Sequence, residues 1–446
     1  MRLLLAAGVL CAAFLLIYLP DIGHGFLKDD FVWILSSRAA DLSDALALFK
    51  ANVGFYRPLV SLTFAADYGV WGMRPFGYGL TNLAVFSGCV VLLYALARRF
   101  TLSPPAALLT VAVWAFNFHG VNMALLWLSG RTSLLVTFFS LSTAHAVLMG
   151  APLAGGMLCL AALLSKEEAT LLPLLISVYV FTVQPPPFTS RSRQTLLRVW
   201  PLWAALAVYA VLRLRSGAFG FSNAPWYYQL STAQTGRNLV EYADRSATVA
   251  VAVILILIIA CRRRPDLDDP GRRAVLFSML WIVGTFAITL WLPVRSSLYA
   301  LLPSIGSSLI AGACAAWAIR SNSERFRRAV IALTVLVVLL IPVYRIRNVR
   351  WVGIADISNY IMKTVEASVP DSTSGGRIVI VDSRDARFDL DSTFSGMFPE
   401  AVTLVAGPDW NGEIIPVGEA VPDDVRLLFH YTAGRLIPIG RDNDSR

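Results

Sequence analysis

Asp29 and Asp30 stand side by side in Lys28-Asp-Asp-Phe31, directly after the first apolar run of the chain. A carboxylate at the edge of an apolar region has its pKa pushed up, which suits it to take a proton from a hydroxyl. The same residue type also favours a helix N-cap or a solvated loop, so local pattern alone leaves both accounts open. Adjacent side chains point in different directions on a helix or a strand, so the two acids need not act together. Arginines then recur among aromatics, at Tyr56-Arg57-Pro58 and Trp71-Gly-Met-Arg74-Pro75. The planar guanidinium fork suits phosphate oxygens; the plainer account is an aromatic belt whose arginines reach lipid headgroups.

Three more groups follow. Trp127-Leu-Ser-Gly-Arg131 places an arginine at a helix start, and Ser165-Lys166-Glu167-Glu168 sets a cation beside two acids in a very short connection. Charges so close to apolar segments are expected to be paired or to face a ligand. A local ion pair capping the helix that begins near 169 is the plainer reading of the second group. Pro293-Val-Arg295-Ser-Ser-Leu-Tyr299 offers an arginine and a tyrosine one turn apart. Acids together with several separated cations suit a phosphate-bearing ligand that arrives from the lipid.

The elements that must position these residues are membrane-spanning helices. Of 446 residues, 56% are hydrophobic and only 15% are charged, against about 25% in a typical soluble domain. A chain this apolar cannot cover itself in water. Its net charge of +9 would suggest nucleic acid only if a basic face sat on a soluble fold. Instead the arginines cluster between apolar runs, at 98–99, 191–198, 262–273 and 320–328. With the N-terminus inside, every one of those clusters is cytoplasmic, as the positive-inside rule requires. No nucleic-acid partner is expected.

Apolar runs near 3–20, 79–97, 104–118, 133–149, 152–164, 169–184, 197–214, 247–261, 274–292, 298–319 and 329–344 predict about eleven spans. The first reads as a retained helix rather than a cleaved signal, because no small-x-small site precedes Pro20-Asp21. Two large loops, 21–77 and 215–246, fall outside. The first holds a short amphipathic piece at Asp44–Phe49, the second the aromatic Trp226-Tyr227-Tyr228 and a helical end with Glu241 and Arg245 at i,i+4. Arg345, Arg347 and Arg350 break the charge rule just after the last run. The expected division is 1–344, a membrane domain, and 345–446, a small soluble α/β domain on the outer side. That tail opens with a helix-like stretch at 351–368 and a strand at Arg377–Asp382. The five cysteines read as small buried hydrophobes, and no spacing among Cys and His suggests a metal site.

In this order the motifs resemble the C-type (GT-C) membrane glycosyltransferases, near the protein O-mannosyltransferases and their tetratricopeptide-containing relatives. The carriers are Asp29-Asp30; the stretch from Tyr56 through Arg74-Pro75-Phe76-Gly77-Tyr78 to Thr81-Asn82; Trp127-Leu-Ser-Gly-Arg131; Ser165-Lys166-Glu167; and Leu302-Pro303-Ser304-Ile305-Gly306, together spanning roughly 20–310. The resemblance implies an all-α membrane fold and transfer of a sugar from a polyprenyl-phosphate carrier to an outer protein, lipid or glycan acceptor, usually with inversion. It also implies that Asp29 or Asp30 serves as base and that Arg131, Lys166 and Arg295 hold the donor phosphate. Arg57 and Arg74 join that set more weakly, with Glu167 and Tyr299 in support. It fixes no cofactor and leaves a divalent cation open. It places the protein in a cell membrane of the bacterial inner-membrane kind, with the site facing away from the cytoplasm. The repeats of the named relatives are absent here. Asn122-Met123-Ala124 stands where such enzymes often carry an acid before the Trp-x-Ser-Gly-Arg segment. A transporter or lipid flippase is the other class considered, although the candidates cluster at one face and no internal repeat is visible. The tail is expected to help position the acceptor.

Overall fold

The computed structural model describes residues 2–50, 55–101, 103–183, 188–218, 232–370 and 375–439. It is mostly helical. The helices are α1 (Arg2–Tyr18), α2 (Asp30–Ser36), α3 (Leu42–Ala47), α4 (Pro58–Trp71), α5 (Pro75–Thr101), α6 (Pro104–Ala115), α7 (Phe118–Leu126), α8 (Arg131–Leu148) and α9 (Pro152–Leu163). After them come α10 (Leu172–Val183), α11 (Phe188–Arg215), α12 (Thr232–Cys261), α13 (Asp269–Phe286), α14 (Ser304–Ser321), α15 (Ser323–Ser368), α16 (Leu390–Phe394) and α17 (Phe398–Ala406). Prolines open several of them, where the missing N–H costs nothing.

Each of the eleven apolar runs is helical. Among the described residues, six helices are long and apolar enough to cross a membrane, or seven if the pair α6 and α7, bent by 65°, counts as one span. This is the make-up of a multi-pass membrane protein, short of the expected eleven. The shortfall has a physical origin: runs such as 104–118 and 152–164 form helices of only 12 residues, whereas a lone crossing needs about 20. α14 is the exception in the other direction, with 94% of its best window buried inside the bundle. Four cysteines are buried, Cys11 is exposed, and none is paired. α3 forms within the predicted amphipathic piece, capped by Asp41, which accepts from Asp44 N at 2.9 Å. Trp226-Tyr227-Tyr228 lies outside the described residues. The predicted helical end of that loop is continuous with α12, and Arg245 meets Glu241 at 3.2 Å.

No break falls at 344/345. α15 is one helix of 46 residues that begins in the bundle and ends beside the tail. The three arginines that broke the charge rule lie on it. Arg345 pairs with Asp21 at the end of α1, and Arg347 stacks over Phe118 at 4.2 Å.

The tail sheet has the order β2-β1-β3-β4, from strands β1 (Gly376–Asp382), β2 (Trp410–Pro416), β3 (Val425–Thr432) and β4 (Arg435–Pro438). β1 lies parallel to β2, with Ile380 opposite Ile414, and parallel to β3, with Ile380 opposite Phe429. β4 returns antiparallel through a tight turn at Ala433-Gly434, both with positive φ. The tail shares a core with the 21–77 loop. Phe31 and Ile34 of α2, with Phe64 of α4, pack with Ile361 and Val365 of α15, Ile378 and Ile380 of β1, and Phe394 and Phe398. One backbone bond joins the two as well, from Lys28 N to Thr393 O at 2.9 Å. The sheet therefore sits directly against the segment that carries Asp29 and Asp30.

Candidate active site

The two acids part at the start of α2. Successive helical residues are turned by about 100°, and here that turn separates two environments. Asp30 is fully buried. Its carboxylate accepts from Leu27 N at 3.0 Å, from Ser129 N at 2.7 Å and from the Ser129 hydroxyl. Burial pushes its pKa up to about 7, although these hydrogen bonds favour the charged form. Asp30 thus staples the 27–30 turn to the 128–130 turn. Asp29 occupies the N-cap position, where its carbonyl accepts from Trp33 N at 3.0 Å, but its half-buried carboxylate caps nothing and makes no hydrogen bond or ion pair with another described residue. Burial raises its pKa too, opposed by the positive charges of Lys28 and Arg57.

Arg131 opens α8 and is also spent internally. It pairs with Asp67 of α4 at 2.5 Å, donates to Tyr78 O at 2.9 Å and Asn82 Oδ1 at 2.8 Å, and lies over Phe64 at 4.5 Å. Asn82 in turn donates to Leu128 O at 3.2 Å. The glycine before Arg131 is required by close approach. A Cβ on Gly130 would stand 2.8 Å from Ala124 Cα and 2.9 Å from Met123 O. The Trp-Leu-Ser-Gly-Arg segment therefore holds α2, α4, α5 and α7 together.

A second charged group surrounds a cavity of about 70 Å³ lined by Arg57, Lys166, Glu167, Glu168, Thr289 and Tyr299, among others. Arg57 donates to Glu167 Oε2 through Nη2 at 2.8 Å and Nε at 3.1 Å, and Arg213 from α11 reaches the other oxygen at 3.3 Å. Burial alone would raise the pKa of Glu167, but Arg57 and Arg213 outweigh it and hold the carboxyl below its usual range. Lys166 is buried against Glu168, donates to Ser133 Oγ at 2.8 Å, and faces the Tyr299 ring at 5.0 Å. Burial lowers its pKa.

The remaining candidates stand apart from this cavity. Arg295 joins Arg237 and Arg245 around Glu241 on α12. Arg74 is exposed at the α4–α5 corner. Asn122 serves a role that an acid could not. Its amide donates to Asn348 Oδ1 at 2.5 Å and accepts from Trp351 Nε1 at 2.8 Å, tying α7 to α15. Among the described residues no three His, Cys, Asp or Glu side chains are grouped to hold a metal ion.

Asp67, Ser133 and Arg213 belong to these networks and were not among the sequence candidates, whereas Glu168 appears there only as one of the two acids beside Lys166. Arg213 left a signal: it is an arginine at the end of the 197–214 run opposite the Arg191–Arg198 cluster, where the charge rule leaves no reason for it. Asp67 left another, as an acid inside the apolar α4 segment. No protein-family model matches the chain, and no curated protein matches it. The chemistry must be read from the geometry.

Proposed function

We propose that this protein is a membrane glycosyltransferase of the GT-C kind, moving a sugar from a polyprenyl-phosphate donor to an acceptor on the extracytoplasmic side. The observation that carries the reading is Asp29. It is a half-buried carboxylate with no protein partner, close enough to Arg57 to sense its charge, and Arg57 lines a cavity that also holds Lys166. In this reading Asp29 takes the proton from the acceptor hydroxyl as its oxygen attacks the anomeric carbon. The bond from that carbon to the phosphate oxygen breaks, and polyprenyl phosphate leaves with the electron pair. Inversion follows from attack opposite the leaving group.

The cavity suits the leaving phosphate. Its lining sets Arg57 and Lys166 against the carboxylates Glu167 and Glu168, and Arg213, outside the lining, adds a third cation on Glu167. Cations already oriented by buried carboxylates stabilise negative charge as it grows, without reorganising. Its volume is far below the roughly 300–1,000 Å³ of whole-ligand sites, so it takes the phosphate group while the sugar lies towards Asp29. Thr289 and Leu292 of the lining follow α13, from which side the polyprenyl chain would approach. The shorter helices α6, α8, α9, α10 and α13 complete eleven crossings within the bundle, with this end of it outside the cytoplasm. Asp30 and Arg131 act as positioning residues. Arg295 and Arg74 contact the lipid surface rather than the reacting phosphate.

The test compares lipids, glycans and glycoproteins by mass spectrometry in a deletion strain carrying wild-type protein or Asp29→Asn. A hexose- or pentose-sized difference restored by wild type alone supports the reading. Full restoration by Asp29→Asn removes it.

A further inference from the structure

The tail contains a second, larger cavity that the transfer chemistry does not use. It measures about 480 Å³ and is lined by Asp382, Arg384, Asp389, Asp391, Pro399 and Ile414, among others. That is within the usual range for small-molecule sites, roughly 300–1,000 Å³. Its position follows from topology. The chain leaving β1 passes to α16 and α17, which cover the sheet face formed by Ile378, Ile380 and Phe429. The chain leaving β2 passes to the opposite face, where Val421 packs with Val379 and Ile415. β1 and β2 are adjacent and parallel. Where neighbouring parallel strands send their connections to opposite faces, a crevice opens outside their carboxyl ends, and ligands of open α/β sheets bind there. Asp382 ends β1 and Pro416 ends β2, and both line this cavity.

A second observation points to a ligand. Asp382 is only 5% exposed, yet it lines the cavity. One carboxylate oxygen accepts from Arg384 N at 2.9 Å, and the other has no hydrogen-bond or ion-pair partner among the described residues. That second oxygen faces the cavity and is free to accept a hydrogen bond from whatever occupies it.

We propose that this cavity binds a hydroxyl-rich saccharide. The lining supplies acceptors from Asp382, Asp389, Asp391 and Glu413, and donors from the Arg384 guanidinium and the Phe398 N–H at the start of α17, which no side chain caps. A sugar hydroxyl both donates and accepts, so this mixture suits it. Four carboxylates against one arginine disfavour a phosphate or nucleotide. The cavity also connects to the proposed base. Thr393 of α16, next to the lining residues, accepts from Lys28 N at 2.9 Å, and Asp29 is the following residue. The saccharide is therefore the outer part of the acceptor, held while its reacting hydroxyl is presented to Asp29. That last assignment rests on the transferase reading, but binding itself does not.

The experiment is saturation-transfer NMR on the full-length protein in lipid nanodiscs. Its probes are methyl α-mannopyranoside, methyl β-glucopyranoside and methyl N-acetyl-β-glucosaminide, with inorganic phosphate as competitor. At least one glycoside is expected to bind, with affinity reduced about tenfold or more by Asp382→Asn and by Arg384→Ala, since each removes a charge-assisted hydrogen bond. Arg384 is exposed, so its variant keeps the fold even if Asp382→Asn does not. Phosphate is expected not to displace the sugar. Asp29→Asn leaves binding intact, so a failed transferase reading and a failed binding site give different results. No binding of any glycoside, binding indifferent to both substitutions, or displacement by phosphate would overturn the proposal.

Discussion

Two charged regions meet at the first turn of α2, and they differ in what their carboxylates and cations still have to offer. Around Asp30 and Arg131, protein groups take up most of the capacity: Ser129 and Leu27 on the acid, Asp67, Asn82 and Tyr78 on the arginine, whose Nη1 is left without a hydrogen bond among the described residues. Around Asp29, Arg57 and Lys166 there is a carboxylate without a partner and a cavity bordered by cations. Both regions are rich in charge and both lie in motifs assigned above to the proposed transferase. Charge near the membrane therefore does not distinguish a framework from a site. The capacity left over after the protein has satisfied itself does.

That contrast can be broken by measurement, beginning where the effect is largest. Arg131→Met leaves Asp67 buried without its partner, and loss of about 3–5 kcal/mol is expected for a broken buried pair. Denaturant unfolding in detergent checks it. Lys166→Met strands Glu168 in the same way, while Lys166→Met with Glu168→Gln recovers part of the loss. The coupling between the two is expected to reach about 1–3 kcal/mol in a double-mutant cycle. A cycle that closes to zero would move Lys166 out of any preorganised set.

A smaller effect follows from Asp30 and depends on pH. Its folded pKa of about 7 lies above the ordinary carboxylate value of 3.8. The native state therefore holds a proton that the unfolded chain has already lost. This contribution is fully present below about 4 and disappears as pH rises through 7. Wild type is expected to lose stability relative to Asp30→Asn across that window, measured by unfolding at pH 5 and pH 8. The smallest stability change belongs to Asp29→Asn, within about 0.5 kcal/mol, because that side chain bonds to nothing.

Much of this architecture was legible in the sequence. Apolar runs reveal themselves through composition, and the Arg377–Asp382 strand through its β-branched pattern, because burial and backbone shape are encoded locally. The distinction between Asp29 and Asp30 was not. It depends on which way one helical turn faces, and on Ser129, a hundred residues away in the chain. Arg131 looked like a ligand-facing cation for the same reason, since its partner Asp67 comes from a different helix. Composition changes at 345, which is why the sequence predicts a separate domain from there. α15 runs on unbroken through that point, since a helix can leave lipid without leaving its own hydrogen-bond ladder. The short helices explain why only six or seven of the eleven apolar runs are long enough to cross alone: hydropathy reports apolarity, while reach across a bilayer depends on length.

The central claim is that Asp29 works chemically while Asp30 works structurally. It is tested most directly by purifying both Asn variants in parallel, measuring unfolding at pH 8, and measuring the glycan product each restores in the deletion strain. The account predicts that Asp29→Asn unfolds like wild type and restores no product. Asp30→Asn should show altered unfolding and reduced product in proportion to the folded protein remaining. Product formed by Asp29→Asn at the wild-type level, or lost in Asp30→Asn with unfolding unchanged, would contradict it.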